Sequence, residues 1–297
     1  MKDLVFLVTG ANGQLGYDVV KELNTRKITV FSSGTKDVND NFYIKLDITD
    51  RESVIKTIRK IHPDVIIHCA AWTNVDGAEL EENKEDVYNI NYYGTKNIVD
   101  ACKITGSELF YISTDYVFND STTSAISSDS LNFNPINVYG DSKLKGELEV
   151  RTLEKYFIAR ISWVFGLNGN NFVKTMLRVS SRDSVSVVND QIGTPTFTED
   201  AARLIIDIAL SDKYGCYNIT NEGGYISWYD FCKKIYELSE IKTPVIPISS
   251  DKYISKAKRP MNSRLDKSKV LDNGFTPLPT WEDALSRFLK EYKYDRS

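Results

Sequence analysis

Thr9-Gly10-Ala11-Asn12-Gly13-Gln14-Leu15-Gly16 follows a short apolar run, residues 4–8, and precedes a helical pattern. A glycine at the first position of such a turn permits a sharp reversal, and the second lets a pyrophosphate approach the backbone. The third lets the helix pack closely on the strand. The helix N-terminus then faces the phosphates. This stretch therefore predicts a dinucleotide-binding strand–turn–helix unit at the start of the chain.

Short apolar runs alternate with helical patterns through the first half of the chain. The runs are rich in β-branched and aromatic residues and show little polar alternation, which is typical of strands buried on both faces. Predicted strands cover residues 4–9, 28–32, 42–45, 65–68, 109–113 and 157–161, and predicted helices cover 14–23, 51–61, 87–102 and 138–154. This alternation predicts an α/β fold, a doubly wound parallel sheet of the Rossmann-like type.

After about Gly166 the alternation ends and prolines become frequent. Helical patterns remain at 172–181, 198–210, 227–239 and 281–292, with short strands at 185–188 and 217–219. We therefore predict a dinucleotide-binding domain over residues 1–166. Residues 167–297 are predicted to form mainly a smaller α/β substrate-binding lobe that threads back into the first domain. The cleft between them is the expected substrate site.

Composition excludes several classes of protein. The 297 residues are 41% hydrophobic and 26% charged, with a formal net charge of −4, which argues against a general nucleic-acid binder. Four scattered cysteines without a CxxC pair indicate reduced thiols, and only two histidines are present, so no metal site is expected. The N-terminal apolar run is too short for a signal peptide, and no stretch reaches the ~20 apolar residues of a membrane span. We expect a cytoplasmic protein that binds no nucleic acid and no membrane.

Tyr139 and Lys143 lie four residues apart in a predicted helix, so both side chains share one face. A free tyrosine has a pKa of about 10, and lowering it to neutrality requires on the order of 4 kcal/mol of preferential phenolate stabilisation. A nearby ammonium, a bound cofactor and a sheltered site supply such stabilisation. Thr114, at the end of the fifth predicted strand, is placed to bind a carbonyl oxygen beside Tyr139. The spacing predicts an acid/base site.

The end of the second strand indicates the preferred dinucleotide. An acidic residue there binds the ribose hydroxyls of NAD, but no acid occurs before Asp37. Ser32, Ser33 and Lys36 are candidates for the additional phosphate of NADP. We therefore predict NADPH as the cofactor, with NADH tolerated. The predicted cofactor-binding residues are Gly10, Asn12, Gly13, Gln14, Leu15, Asp47, Ile48, Ala70, Ala71, Trp72, Thr73, Ile112, Tyr139 and Lys143.

Several ordered motifs together resemble the extended short-chain dehydrogenase/reductase superfamily and, within it, the dTDP-4-dehydrorhamnose reductase family. The similarity runs from near residue 4 to at least Leu265. Its motifs are Gly13-Gln14-Leu15-Gly16, Ala70-Ala71-Trp72-Thr73-Asn74-Val75-Asp76, Ser113-Thr114-Asp115-Tyr116-Val117-Phe118, Asn137-Val138-Tyr139-Gly140-Asp141-Ser142-Lys143, Arg160-x-x-Trp163-Val164-Phe165-Gly166 and Asn189-Asp190-Gln191-x-Gly193-x-Pro195-Thr196.

The resemblance implies reduction of a dTDP-linked 4-keto-6-deoxy sugar to dTDP-L-rhamnose with hydride from the nicotinamide. It implies that Tyr139 protonates the new alkoxide and that Lys143 holds the nicotinamide ribose. Thr114 would hydrogen-bond the substrate oxygen, which agrees with the need to meet negative charge as it forms. The residues implied for the substrate are Thr114, Asp115, Trp163, Gln191 and Arg259.

Two alternatives stay open at this point, and a third activity, dehydration, is disfavoured. Sugar-nucleotide dehydratases carry a second acid after the Thr-Asp pair, but this chain has Tyr116 there, which disfavours dehydration. Another nucleotide-sugar reductase or epimerase is compatible with the motifs. A non-catalytic NADP-binding regulatory subunit, resembling that of methionine adenosyltransferase, is the alternative outside enzymes. A monomer or homodimer is expected. Some relatives dimerise through a metal, and Asp18 and Glu199 are placed for such ligands, but no metal is predicted.

Overall fold

The computed structural model describes residues 4–119 and 122–292. The Ser/Thr/Asp-rich composition of residues 119–130 predicts an exposed loop, and residues 120 and 121 of that stretch lie outside the described part. Its strands are β1 Val5–Thr9, β2 Thr29–Gly34, β3 Tyr43–Lys45, β4 Val65–His68, β5 Glu108–Thr114, β6 Tyr156–Ile161, β7 Val164–Phe165, β8 Val185–Val188, β9 Ile192–Gly193, β10 Thr196–Phe197, β11 Gly215–Asn218, β12 Ile226–Ser227, β13 Val245–Ile248 and β14 Asn262–Ser263.

The α-helices alternate with the strands in the first half and are spread through the second. They are α1 Gln14–Thr25, α2 Arg51–Ile61, α3 Val75–Ala78, α4 Glu81–Tyr88, α5 Thr95–Thr105, α6 Val138–Val150, α7 Phe172–Val179, α8 Thr198–Ala209, α9 Trp228–Leu238, α10 Ser268–Asp272 and α11 Trp281–Glu291. None of the helices among residues 4–119 and 122–292 is long and apolar enough to cross a membrane.

One parallel sheet dominates the described part of the chain, with the strand order β3-β2-β1-β4-β5-β6-β11. The order runs one way from β1 through β2 and β3, and the other way from β4 onward. This reversal between β1 and β4 defines the switch point at which open α/β sheets bind ligands. The predicted doubly wound parallel sheet is confirmed.

Both faces of the sheet are covered, which explains the nearly continuous apolar strands. Phe6 and Val8 of β1 pack with the apolar side of α1 and with α8 in one cluster. Leu7 of the same strand points the other way, into a second cluster with α2 and α5. Alternate residues of a strand point to opposite faces, so a strand between two helix layers requires apolar residues at every position.

Side-chain caps fix where two of the helices begin. Asp50 accepts a hydrogen bond from the Ser53 N–H at 3.0 Å and starts α2, as the sequence predicts. Asn137 accepts one from the Gly140 N–H at 2.7 Å and starts α6. Such caps satisfy N–H groups of the first turn that have no partner inside the helix. The second cap sets the position of the helix that carries the Tyr139/Lys143 pair.

The helix predicted over 87–102 is one irregular helical stretch in the structure. α4 continues without a break into a π-helical segment, Asn89–Gly94, and then into α5. The buried Asn91 lies in this segment and uses its amide to bind the backbone N–H and C=O of Trp72, at 2.8 and 3.1 Å. The π segment therefore supports the chain just after β4, next to the switch point.

The second half of the chain contributes to the main sheet as well as to its own core. β11 is the edge strand of the main sheet, and α8 packs on α1. The remaining elements enclose an aromatic core, which includes Phe165, Phe197, Phe231, Trp281 and Phe288. The division of the chain near residue 166 stays a prediction.

A fully buried ion pair joins α6 to β6. Arg160 Nη2 donates to Glu147 Oε1 at 2.6 Å, and neither side chain is exposed to solvent. Ser113 Oγ donates to the same carboxylate at 2.7 Å, and Arg160 also donates to the Ser128 carbonyl at 2.9 Å. Burial alone would raise the pKa of Glu147, but the contact with Arg160 holds that pKa below its usual value. The pair thus fixes α6 against β5 and β6.

Arg160→Met is expected to lower the free energy of unfolding by about 3–5 kcal/mol, because it leaves the buried Glu147 carboxylate without its main partner. Urea unfolding followed by circular dichroism measures this change. Lys234→Met, which breaks the more exposed ion pair with Glu237, is the matched control and should change stability by less than about 1 kcal/mol. Equal losses in both variants would contradict this account of the buried pair.

Candidate active site

The glycine turn lies at the switch point of the sheet. Gly10 has a φ of +67°, and a Cβ placed on it would lie 2.6 Å from the backbone of Ala70 at the end of β4. A Cβ on Gly16 would overlap the carbonyl oxygen of Gly10. Any larger side chain at either position would force the turn, the helix and β4 apart. The roles predicted for the first and third glycines therefore have direct steric causes.

The N-terminus of α1 opens into the cleft beside this turn. The helix begins after Gly13, and no side chain in the described ranges 4–119 and 122–292 caps it. A second segment closes over the same turn, because Asn168 donates to the carbonyls of Asn12 and Gly13 at 2.9 and 3.0 Å. Free first-turn N–H groups next to a glycine cradle fit a phosphate or pyrophosphate. The residues present thus fit the diphosphate of a dinucleotide.

A single cleft of about 1140 Å³ connects this turn with the Tyr139/Lys143 pair. The volume exceeds the usual range of a small-ligand pocket, about 300–1,000 Å³, so a dinucleotide and a second ligand can be bound side by side. The predicted site residues that line the cleft are Gly10, Asn12, Gly13, Gln14, Leu15, Asp47, Ile48, Ala70, Ala71, Thr73, Ile112, Thr114, Asp115, Tyr139, Lys143, Trp163 and Arg259.

Tyr139 lies on the first turn of α6, with its ring packed edge-on against Tyr116 at 5.7 Å between centroids. Burial raises the pKa of Tyr139 to about 12, and its contact with the Thr114 hydroxyl opposes this rise. The direction is opposite to the lowering that the sequence suggested. At neutral pH the phenol is therefore protonated, which is the state required of a proton donor.

Lys143 is buried one helical turn after Tyr139. Its Nζ donates to the Ile112 carbonyl at 2.7 Å and lies 4.1 Å from the centre of the Tyr111 ring. Burial lowers the pKa of Lys143 to about 7, although the nearby Cys69 and Glu147 oppose this shift. The hydrogen bond to Ile112 therefore directs the ammonium toward β5 and the cleft. Removing this charged group from water costs free energy, which is why its pKa is low.

Asp115 follows Thr114 at the end of β5 and is almost completely buried. Burial raises its pKa to about 6, against contacts with Ser263 and Thr114. Thr114 Oγ1 donates to Asp115 Oδ1 at 3.1 Å, whereas Oδ2 makes no hydrogen bond with any residue in the described ranges. A buried carboxylate oxygen without a partner at a cleft wall is suited to accept a hydrogen bond from a hydroxyl group of a ligand.

Trp163 forms an aromatic wall of the cleft with a residue that sequence reasoning missed. Its ring stacks on Trp228 with 3.7 Å between centroids and 13° between planes, and both line the cleft. Trp163 has a φ of +49°, a strained conformation for an aromatic residue that costs about 1–3 kcal/mol. Trp228 starts α9 far along the chain, and only the stacking reveals its place in the site.

Two of the predicted site residues, Trp72 and Gln191, lie outside the cleft lining. A third, Arg259, lines the cleft but forms an ion pair within the protein. The Trp72 indole donates to the Asn74 carbonyl at 2.9 Å, and Gln191 is buried next to β9. Neither side chain lines the cleft. Arg259 does line it, but its guanidinium is paired with Asp76 at 2.6 Å. The predicted roles of Trp72 and Gln191 therefore stay predictions without support from this geometry.

The end of β2 and the residues just after it form the part of the cleft where NADP and NAD are expected to be distinguished. Ser33, Thr35 and Lys36 line the cleft, whereas Ser32 does not. Ser33 is buried, and its hydroxyl donates to the Val8 carbonyl at 3.3 Å. Tyr43 donates to the Asn12 side chain at 2.6 Å and so joins this region to the glycine turn. Lys36 is the basic residue available there to a phosphate.

Known proteins of similar sequence show the family to which the chain belongs. Residues 4–294 match the family model described as RmlD substrate binding domain. A dTDP-4-dehydrorhamnose reductase from Aggregatibacter actinomycetemcomitans is 39% identical over 294 residues, which cover 94% of this chain and 96% of that protein. The chain belongs to the dTDP-4-dehydrorhamnose reductase family. The predicted membership of this family of oxidoreductases is thereby confirmed.

Solved structures of the family have the same fold over nearly their whole length. A dTDP-4-dehydrorhamnose reductase from Bacillus anthracis, solved in complex with NADP, matches with a TM-score of 0.90 and 40% identity over 98% of this chain and all of that chain. A UDP-glucose 4-epimerase from Thermus thermophilus matches with a TM-score of 0.82 at 19% identity, covering 97% of this chain and 98% of that one. The epimerase shows the shared fold alone.

The two acids considered for a metal lie on α1 and α8, which pack against each other. Asp18 is buried, and burial raises its pKa. Glu199 is bound by Lys21 at 3.3 Å. The described residues, 4–119 and 122–292, contain no group of three or more His, Cys, Asp or Glu side chains placed to hold a metal ion. No step of the chemistry below uses a metal.

Proposed function

We propose that the protein reduces the 4-keto group of dTDP-4-dehydro-L-rhamnose to give dTDP-L-rhamnose, with NADPH as hydride donor and NADH tolerated. The observation that carries this proposal is the meeting of Tyr139, Lys143 and Thr114 in the cleft that also contains the glycine turn. Family members are named for this type of substrate, among them a dTDP-4-keto-6-deoxy-D-glucose reductase from Streptomyces niveus at 33% identity.

Tyr139, Thr114 and Lys143 have different roles in the proposed reduction of the ketone. Hydride addition from the dihydronicotinamide places negative charge on the carbonyl oxygen, and that charge must be met by a proton or a donor as it forms. Tyr139, protonated because burial raises its pKa to about 12, gives the proton to that oxygen. The Thr114 hydroxyl, which donates to Asp115 Oδ1 in this structure, turns to donate its one hydrogen to the same substrate oxygen. Lys143 would hold the nicotinamide ribose of the bound cofactor, and its ammonium would favour the phenolate that remains after Tyr139 has given up its proton.

The sugar pocket is proposed to be formed by residues on the walls of the same cleft. Asp115 Oδ2 would accept a hydrogen bond from a sugar hydroxyl, and the stacked rings of Trp163 and Trp228 would pack against the apolar face of the sugar. Arg259 contributes to the diphosphate end with its planar fork of donors. Gln191 is buried outside the cleft lining, so its expected contact with the substrate stays a prediction.

An assay with each cofactor tests the proposal. The purified chain is mixed with dTDP-4-dehydro-L-rhamnose and NADPH or NADH, and the loss of absorbance at the dihydronicotinamide band is followed while NMR identifies the sugar product. Turnover to dTDP-L-rhamnose supports the proposal. NADPH binding without turnover on any keto-sugar, together with a stoichiometric protein partner, would instead support the regulatory-subunit alternative.

Lys36→Ala is expected to weaken NADPH binding about tenfold while leaving NADH binding within about twofold, because only NADPH carries the additional phosphate. Fluorescence titration of both cofactors measures the two dissociation constants. Lys45→Ala is the matched control, since Lys45 pairs with Asp37 at 3.0 Å and does not line the cleft. Equal weakening for both cofactors would show that Lys36 does not read the phosphate.

A further inference from the structure

The segment 256–259 is held against α3 by one carboxylate. Asp76 Oδ1 accepts the backbone N–H groups of Lys256 and Ala257 at 3.1 and 3.0 Å. Its Oδ2 accepts Arg259 Nη2 at 2.6 Å. Partial burial alone would raise the pKa of Asp76. These contacts, of which the one from Arg259 has the largest effect, hold that pKa below its usual value. Both carboxylate oxygens are therefore engaged with a segment that lies about 180 positions later in the chain.

The same segment is tied to the helix that carries Tyr139. Asn137 Nδ2 donates to the Lys258 carbonyl at 2.8 Å, while its Oδ1 caps the first turn of α6. The side chain of Asn137 is buried, so its two contacts are sheltered from water. Arg259 is thus fixed relative to the reacting end of the cleft through Asp76 on one side and Asn137 on the other.

Arg259 needs such support in order to act on a ligand. Its side chain lines the cleft and keeps about a fifth of its surface exposed. Asp76 accepts a hydrogen bond from Nη2 of the guanidinium, and the Ala257 carbonyl accepts one from Nη1 at 3.2 Å. A guanidinium has five N–H donors, so donors remain for an anion after these bonds. A long side chain already held in one conformation loses less entropy when a ligand binds.

We propose that Asp76 is a positioning residue that holds Arg259 ready for the diphosphate of a nucleotide-sugar substrate. This inference rests on the proposed function for the class of substrate. Asp76 itself touches neither substrate nor cofactor in this account, and it acts through the guanidinium and through the backbone of residues 256 and 257. A purely structural clasp would use the same contacts but would not change ligand affinity selectively.

Asp76→Asn tests the proposal, because the amide oxygen can still accept from the backbone N–H groups while the negative charge that faces Arg259 is lost. Binding of thymidine diphosphate by calorimetry, binding of NADPH, the Michaelis constant, the turnover number and the melting temperature are measured in parallel. We expect the Kd for thymidine diphosphate and the KM for the dTDP-sugar to rise five- to tenfold. The turnover number and the NADPH Kd should stay within twofold, and Asp76→Glu should recover part of the affinity.

Two further variants separate positioning from general loosening. Arg259→Ala should weaken thymidine diphosphate binding at least as much as Asp76→Asn does, and the double variant should be no weaker than Arg259→Ala alone. Glu222→Gln is the control, because it breaks the ion pair between Glu222 and Lys267 at 3.2 Å outside the cleft lining and should change no ligand constant.

Each remaining result decides against the inference in a distinct way. Parental thymidine diphosphate affinity in Asp76→Asn would overturn the role of Asp76 alone. Equal weakening of NADPH and thymidine diphosphate with a fall in melting temperature would show a structural clasp and overturn it as well. A parent chain that binds no thymidine diphosphate would overturn the proposed substrate class and this inference with it.

Discussion

Tyr139→Phe is expected to lower the turnover number by about a thousandfold while the NADPH Kd stays within about twofold. General acid catalysis by a positioned side chain contributes on the order of 10²–10⁴-fold, and the phenol is the protonated group beside Thr114 in this cleft. Phenylalanine keeps the ring and its edge-on contact with Tyr116, so the packing of the site is preserved. Single-turnover stopped-flow measurements separate the hydride step from product release.

The pH dependence provides a second measurement on the same residue. A proton donor supports turnover below its pKa, and its contribution is lost as pH rises through that pKa. Because burial places the pKa of Tyr139 near 12 in this structure, the phenol should stay protonated up to about pH 10. Tyr116→Phe is the matched control, since it removes a neighbouring phenol in contact with the same ring. Parental turnover in Tyr139→Phe would remove Tyr139 as the proton donor.

The features that sequence predicts well are local. The glycine turn depends on steric contacts among Gly10, Gly16 and Ala70, and each of these positions is marked by a small residue in the chain. The spacing of Tyr139 and Lys143 depends on helical geometry alone, and α6 is present as predicted. The alternation of apolar runs and helical patterns likewise gave the parallel sheet, because burial on both faces leaves a direct mark on composition.

The features that sequence does not predict depend on contacts between distant residues. Trp228 belongs to the cleft because it stacks on Trp163, and neither residue has a local signal of that contact. Arg259 was implied as a substrate residue, but nothing in the sequence near it indicates its pairing with Asp76, which lies far earlier in the chain. The direction of the Tyr139 pKa follows from burial in the folded site, which spacing alone does not reveal.

The Lys143→Met variant is expected to lose function while keeping or gaining stability. We expect kcat/KM to fall about 10²- to 10³-fold and the NADPH Kd to rise about tenfold, because the ammonium that holds the ribose is lost. Burial lowers the pKa of Lys143 from 10.5 to about 7, so the folded protein binds this proton less tightly than the unfolded chain does. Each pKa unit corresponds to about 1.4 kcal/mol, so the buried ammonium destabilises the fold at neutral pH.

The sign of the pH effect makes this prediction specific. Between pH 7 and 10.5 the unfolded chain holds more protons at Lys143 than the folded protein does, so the parent gains stability from this group as pH rises. Lys143→Met lacks that dependence, and its melting temperature relative to the parent should be highest near pH 7 and should decline toward pH 10.

Lys145→Met, which removes an ammonium paired with Asp141 on the more exposed side of α6, is the control and should keep parental kcat/KM. A Lys143→Met variant with parental kcat/KM would exclude the ammonium from the reaction. One that loses activity and melts well below the parent at pH 7 would show instead that the hydrogen bond to the Ile112 carbonyl outweighs the desolvation of the charge.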